Sequence, residues 1–309
     1  MRLRTEATEG RRTERARSIA VSRDRMQSRV LVALVVAMLV VSSVDLLRLG
    51  VESSQSRSSL EVAFGVSLTF GLLVWVLRAA TPAAALCGSL ICLVLSYSTE
   101  RPGHSPAHSG LAPLLALFIL TFLATRLGRA RKQMLGLAEA AHGRNAAQVI
   151  ANLGAAGLAA GLAWSAAHHP RWPVELLPGP VLMLSALAEA AADTVSSEIG
   201  QAFGGTPWLI TRLLTRLRRV PPGTDGAISL IGTLAGLTGA AMVVTVGAIA
   251  LRLSISSALI ALVAGFAGLL FDSLLGATFE RRSWLGNDLV NFSSTVFAVF
   301  SAALLLAVL

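Results

Sequence analysis

Asp193 closes an apolar run that begins at Pro180, and Asp272 stands near the end of another that begins at Ile255. A carboxylate at the edge of a membrane span is costly to keep ionised unless a cation balances it. Two carboxylates at one depth can hold a divalent cation, and such a cation bound to phosphates is the usual centre of phosphoryl transfer. Each aspartate opens a polar cluster: Asp193-Thr194-Val195-Ser196-Ser197-Glu198-Ile199-Gly200, and Asp272-Ser273-Leu274-Leu275-Gly276-Ala277. Asp193 and Ser197 are one helical turn apart and share a face, which Glu189 extends. Glu198 is the third candidate metal ligand beside Asp193 and Asp272. The plainer alternative is a helix end leaving the membrane for water, and the intramembrane cost of the charges weighs against it.

Three further segments share a pattern of Gly, any residue, Asn or Asp, then an apolar run. They are Gly143-Arg144-Asn145-Ala146-Ala147, Gly223-Thr224-Asp225-Gly226-Ala227 and Gly286-Asn287-Asp288-Leu289-Val290. Asn and Asp are favoured helix N-caps, so Asn145, Asp225 and Asp288 are expected to start helices. Free N–H groups and the positive end of the helix dipole then face the same interface, which suits phosphate. Polar residues follow each start: Gln148 and Asn152 after the first, Ser229 after the second, Asn291 after the third. Interhelical hydrogen bonding would explain Asn145, Gln148 and Asn152 equally well. The separation from Gly143 to Asp193 is 50 residues and from Gly223 to Asp272 is 49. Two successive two-helix units therefore read as an internal repeat. Thr211, Arg212 and Arg216 lie in a basic segment between them that also fits an interfacial helix.

These residues need a scaffold, and composition says which. Of 309 residues, 54% are hydrophobic and 14% charged. A soluble chain of that size requires more charge. The apolar runs are continuous, which excludes a β-barrel, and a span needs about 20 residues. The expected fold is all-α: a polytopic bundle of about nine transmembrane helices. The spans are expected near Val30–Leu47, Leu60–Arg78, Pro82–Tyr97, Leu111–Thr125, Ala146–Ala166, Pro180–Asp193, Ala227–Leu251, Ile255–Thr278 and Leu289–Leu309. The third and sixth are short. Pro82 and Pro180 occupy first-turn positions, where a missing N–H costs little. Residues 1–29 carry nine arginines and read as a basic, disordered cytoplasmic tail ahead of a transmembrane domain at 30–309.

The net charge is +9, and Lys132 is the sole lysine. With nine spans and the N-terminus inside, 21 basic residues fall on the cytoplasmic side and five outside. The positive-inside rule thus accounts for the charge without nucleic acid, and it puts the C-terminus outside. A bacterial inner membrane is the expected location. His104, His108, His168 and His169 fall on the outer side with no carboxylate or cysteine close by, so they read as loop histidines. Cys87 and Cys92, five apart on one helix, face different directions and are expected to be unpaired. Asp45 has no obvious partner and reads as structural. There is no G-x-x-x-x-G-K-[ST], H-E-x-x-H, paired C-x-x-C or G-x-S-x-G.

Several of these motifs, taken in order, resemble a family of integral membrane proteins that includes phytyl-phosphate kinase and transmembrane protein 19. The resemblance runs through Gly143-Arg144-Asn145-Ala146-Ala147-Gln148-Val149-Ile150-Ala151-Asn152, Ala192-Asp193-Thr194, Ser197-Glu198-Ile199-Gly200 and Leu209-Ile210-Thr211. It continues through Pro222-Gly223-Thr224-Asp225-Gly226, Asp272-Ser273-Leu274-Leu275-Gly276-Ala277-Thr278 and Asn287 to Asn291. It covers roughly residues 111–309. Ile228, Asn152-Leu153 and the arginine tail depart from it. The resemblance implies a membrane kinase that moves a phosphate from CTP or ATP, with Mg²⁺, onto a prenyl or phytyl monophosphate. Asp193, Asp272 and Arg144 would be catalytic. Asn145, Gln148, Asn152, Thr194, Ser197, Thr211, Gly223, Thr224, Asp225, Ser273, Asn287, Asp288 and Asn291 would bind phosphates. A lipid or small-anion transporter is the alternative, but its polar site should lie near the midplane.

Overall fold

The structure, a computed structural model, describes residues 19–51, 54–100, 105–137, 143–168, 178–212 and 218–309. Among them the chain is helical: α1 Val21–Gly50, α2 Ser54–Val76, α3 Pro82–Thr99, α4 Leu111–Arg126, α5 Arg129–Leu135, α6 Ala146–His168, α7 Gly179–Phe203, α8 Leu230–Leu251, α9 Ile255–Leu275 and α10 Asn287–Val308. A π-turn, Gly276–Glu280, continues α9. Two short strands, β1 Trp208–Leu209 and β2 Ala227–Ile228, pair antiparallel.

Seven of these helices are long and apolar enough to cross a membrane. The bent pair α4–α5, which turns by 59°, raises this to eight if it counts as one span. The remaining long helix, α7, carries Glu189, Asp193 and Glu198. It tolerates them because it is the axis of the bundle. Every residue from Val181 to Ala192 is buried, against α4, α6, α8, α9 and α10. A helix that is apolar all round belongs inside. The outer helices instead expose Leu34, Leu72, Ile249, Leu259 and Phe300, the surface expected against lipid. Small residues bring α7 and α8 together: a Cβ on Gly236 would stand 2.6 Å from the Ala192 carbonyl oxygen, and one on Gly232 2.7 Å from that of Ser196.

Local chemistry sets most helix starts. Thr81 caps α3 ahead of Pro82, accepting from the Ala84 N–H at 3.4 Å. Asn145 and Gln148 exchange side-chain and backbone hydrogen bonds at 3.0 and 2.9 Å, a reciprocal box that starts α6. Ser229 caps α8 through the Gly232 N–H at 3.1 Å. Asp225 therefore does not cap that helix as expected. Gly226 at φ +69° and the β1–β2 pairing carry the chain four residues further before it coils. Asp288 is not a cap either: Gly286 is the N-cap of α10, and Asp288 accepts from the Ser28 hydroxyl at 2.6 Å.

The sixth expected span is not short, since α7 runs ten residues past Asp193. The first starts at Val21 rather than near Val30. There Gln27 donates to the Trp284 carbonyl at 2.9 Å and accepts from the Gly286 N–H at 2.9 Å, so polar residues continue the helix along the bundle. Residues 1–18 of the expected tail lie outside the described residues, as do His104, His142, His169 and Arg216. Asp45 has a partner, the Ser165 hydroxyl at 3.4 Å. Cys87 and Cys92 are both free. At one end of the bundle α2, α4, α7 and α9 finish while α1, α3, α6, α8 and α10 begin. α6–α7 and α8–α9 are both antiparallel pairs that enter and return at this end, where the polar residues collect.

A candidate active site at one end of the bundle

The site is framed by two close backbone approaches. The segment before α6 pairs with the α2–α3 connection: the Arg144 N–H donates to the Ala79 carbonyl at 2.9 Å, and the Thr81 N–H to the Arg144 carbonyl at 2.9 Å. Gly143, at φ +74°, permits this, because a Cβ there would lie 2.4 Å from the Ala79 carbonyl carbon. Arg144 is thereby clamped by its backbone, and its guanidinium reaches the Thr194 hydroxyl at 3.4 Å. The second approach is at Gly226, where a Cβ would stand 2.1 Å from the Ala277 nitrogen. The 221–226 loop thus rests on the π-turn after α9. π-turns inside helices recur at functional sites.

Between these supports lies a cavity of about 300 Å³. Gln148 and Asn152 reach it from α6, Arg144 from the segment just before that helix, and Asp193, Thr194, Ser197 and Glu198 from α7. Gly223, Thr224 and Asp225 come from the β-paired loop, Asp272 and Ser273 from α9, and Asn287 and Asn291 from α10. The first turns of α6 and α10 and the Ser229 cap of α8 all face it. Asn145 is engaged in its capping box and does not line it. Thr211 is exposed on a 3₁₀ turn away from it. Asp288 is turned toward α1.

Asp193 and Asp272 meet in this cavity from two different helices, within electrostatic reach of each other. The Ser294 hydroxyl, fully buried on α10, sits 3.2 Å from a carboxylate oxygen of Asp272. Asp193 has Arg144 as its electrostatic neighbour. Behind them Glu189 is 1% exposed, and its Oε1 has no hydrogen-bond partner among the described residues. Glu198 is engaged differently from the expected ligand role: one oxygen meets the Lys132 ammonium and the other the Thr125 hydroxyl at 3.2 Å. Asp225 stands at the cavity mouth, reachable by solvent but flanked by protein. Desolvation holds its carboxyl above the ordinary value, and nearby Arg281 partly offsets this.

Sequence reasoning did not give Lys132 a role. Its signal was visible, because one lysine stands in a chain whose other 25 basic side chains are arginine. A compact ammonium fits a buried niche that a planar guanidinium does not. Ser196, Gln201 and Glu280 also line the cavity; nothing in their spacing distinguished them.

Among the described residues no group of three His, Cys, Asp or Glu side chains converges as a metal cage. Two carboxylates beside a phosphate-sized polar cavity still fit Mg²⁺, which commonly takes one or two carboxylates and completes its shell with water and substrate phosphates.

A polar cavity at one end of an all-helical bundle whose outer surface is apolar defines a polytopic membrane protein with a one-sided site. The chain belongs to the family described as integral membrane protein DUF92, which it matches over residues 65–299. It is 32% identical over 186 residues to the Arabidopsis thaliana protein VTE6, chloroplastic, covering 59% of this chain and about half, 54%, of that one. It is also similar to uncharacterised membrane proteins of Synechocystis, 32% identical over 188 residues (60% of this chain and 69% of the relative), and of Methanocaldococcus jannaschii, 36% over 184 residues (59% and 70%). No solved structure matches the chain.

Proposed function

We propose that this protein is a membrane-embedded phosphotransferase that moves a nucleotide phosphate onto an amphiphilic prenyl or phytyl monophosphate. The observation that carries the reading is the single cavity in which Asp193, Asp272 and Arg144 meet the first turns of α6 and α10 and the cap of α8. The resemblance of the motif set to a family that includes phytyl-phosphate kinase points the same way. So does the one-ended location, since a transporter needs a site reachable from both faces.

In this reading the N–H groups and amides around Gln148, Asn287 and Asn291 cradle phosphate oxygens. Arg144, held by its backbone against residues 79–81, neutralises charge that builds on the transferred group. Asp193 and Asp272 would hold Mg²⁺, which would supply Lewis-acid neutralisation of phosphate charge when bound. The acceptor is itself an anionic phosphate, so no strong general base is required. The loop at 221–226 lines the cavity and would help to exclude water from the transfer. The excess of basic residues at the end that carries the site favours a cytoplasmic face, where nucleotide is available.

The test is incubation of purified protein in lipid nanodiscs with labelled ATP or CTP, Mg²⁺ and a panel of prenyl monophosphates. Formation of a prenyl diphosphate is expected. No diphosphate with any acceptor, together with movement of labelled lipid phosphate across proteoliposomes, would replace the reading by transport.

A further inference from the structure

A second cavity, of about 410 Å³, lies beside the first, between α2, α3, α4 and α6. Its character is opposite. The interior is apolar, built around Leu114, Leu117 and the edge-on pair Phe70 and Phe118, whose ring centres are 5.8 Å apart. At one end stand four arginines, Arg78, Arg126, Arg129 and Arg144, and among the described residues no acidic side chain lines it. Arg126 lies over the Phe122 ring at 3.6 Å, joining the charged end to the aromatic wall. Arg144 lines both cavities.

An apolar chamber closed at one end by cations is complementary to a ligand with one apolar chain and one anionic head. A nucleotide would waste the apolar interior, and a neutral lipid would bring no negative charge to the cationic end. We infer that this cavity binds the hydrocarbon chain of a single-chain lipid monophosphate, with its head at the four arginines and Arg144 passing that head into the polar cavity. The inference rests on the proposed phosphotransferase reading for the identity of the head group, but its geometry does not require turnover. It explains why Arg144 needs a rigid backbone: the residue is the wall between the two chambers. Gly88 on α3 is what keeps the chamber open. A Cβ there would meet only Phe70, at 3.7 Å, so a larger side chain would project into the space.

The experiment uses the full chain in nanodiscs with a C20 prenyl monophosphate carrying a terminal diazirine, followed by peptide mapping after irradiation. Labelling is expected on residues 84–88 or 114–122, displaced by unlabelled prenyl monophosphate but not by phosphatidic acid or the prenyl alcohol. Gly88→Leu should cut that labelling about tenfold, the scale of losing contact with one or two methylene groups. Arg126→Gln with Arg129→Gln should weaken displacement by the phosphate without altering the fold. Label confined to outward faces of α8, α9 or α10, or displaced equally by phosphatidic acid, would overturn the inference. Label in the chamber with no transfer from nucleotide would support the chain site and remove the kinase reading.

Discussion

Lys132, on the short helix α5, places its ammonium between the Glu198 carboxylate of α7 and the carbonyls of Ala124 and Thr125, at 3.3 and 2.8 Å. The lysine is 1% exposed. One side chain thus ties the bend between α4 and α5 to the wall of the polar cavity. Removing one member of a buried ion pair costs about 3–5 kcal/mol, because the other charge is left without compensation. Lys132→Met should lower the melting temperature in detergent strongly, and Lys132→Met with Glu198→Gln should recover much of the loss. Equal destabilisation by the single and double variants would show that the ion pair is not what holds α5.

The close approach at Gly143 makes a second prediction. Gly143→Ala adds a Cβ where the Ala79 carbonyl already stands, in a backbone conformation unfavourable for L side chains. Gly136 has a similar φ of +70° but nothing within 4 Å of the added carbon. Gly136→Ala should cost about 1–2 kcal/mol from backbone strain alone. Gly143→Ala should cost more, and it should also displace Arg144, lowering transfer by more than the stability loss explains. Thermal unfolding compared with specific activity separates the two effects.

Asp225 predicts a dependence on pH. Its carboxyl is held above the usual 3.8 by burial, so the folded protein binds this proton more tightly than the unfolded chain. The favourable contribution is complete below the unfolded value and is lost as pH rises through the folded one. Asp225→Asn should therefore gain stability over the native protein near neutral pH, with the difference shrinking as pH falls toward 4. A melting-temperature difference that grows on acidification would contradict this assignment.

Much of this site was legible because its parts obey strong local rules. Asn145 and Gln148 form a capping box that their spacing announces, and charged residues in apolar runs drew attention to Asp193 and Asp272. The course of the chain from Gly223 to Leu230 was not legible. A Gly-Thr-Asp-Gly sequence suits a helix start and a turn equally, and only pairing with distant Trp208 and Leu209 selects the turn. The length of α7 was hidden for a related reason. The span was expected to end at Asp193, but the helix runs on, and Lys132, 66 residues from Glu198, keeps that carboxylate inside the protein.

Charge predicts an orientation in the membrane. The nine long helices among the described residues alternate in direction, and 14 of the 17 basic side chains among those residues lie at the end that carries the site. By the positive-inside rule that end is expected to face the cytoplasm. A reporter fused after Leu309 should be active only outside the cytoplasm. Cytoplasmic activity of that fusion would invert the assignment and place the site away from nucleotide.

The sharpest prediction compares three carboxylates at similar depth. Asp193 and Asp272 line the polar cavity, whereas Glu189 lies behind them and does not. All three are electrostatic neighbours, so a role arising only from negative charge in the bundle would make their amides behave alike. A role in holding Mg²⁺ against substrate phosphates requires access to the cavity, which only the aspartates have. Asp193→Asn and Asp272→Asn should therefore each lower transfer by about a thousandfold or more, the scale of losing a principal electrostatic contributor, while the protein still inserts and melts cooperatively. Glu189→Gln keeps the shape and removes a buried carboxyl whose Oε1 has no partner among the described residues; it should retain transfer within a few-fold and leave the Mg²⁺ dependence unchanged. Turnover assayed across a Mg²⁺ series distinguishes the cases. Near-normal rates in both asparagine variants at saturating Mg²⁺ would take the aspartates out of the chemistry, and equal loss in all three variants would reduce them to a shared structural charge.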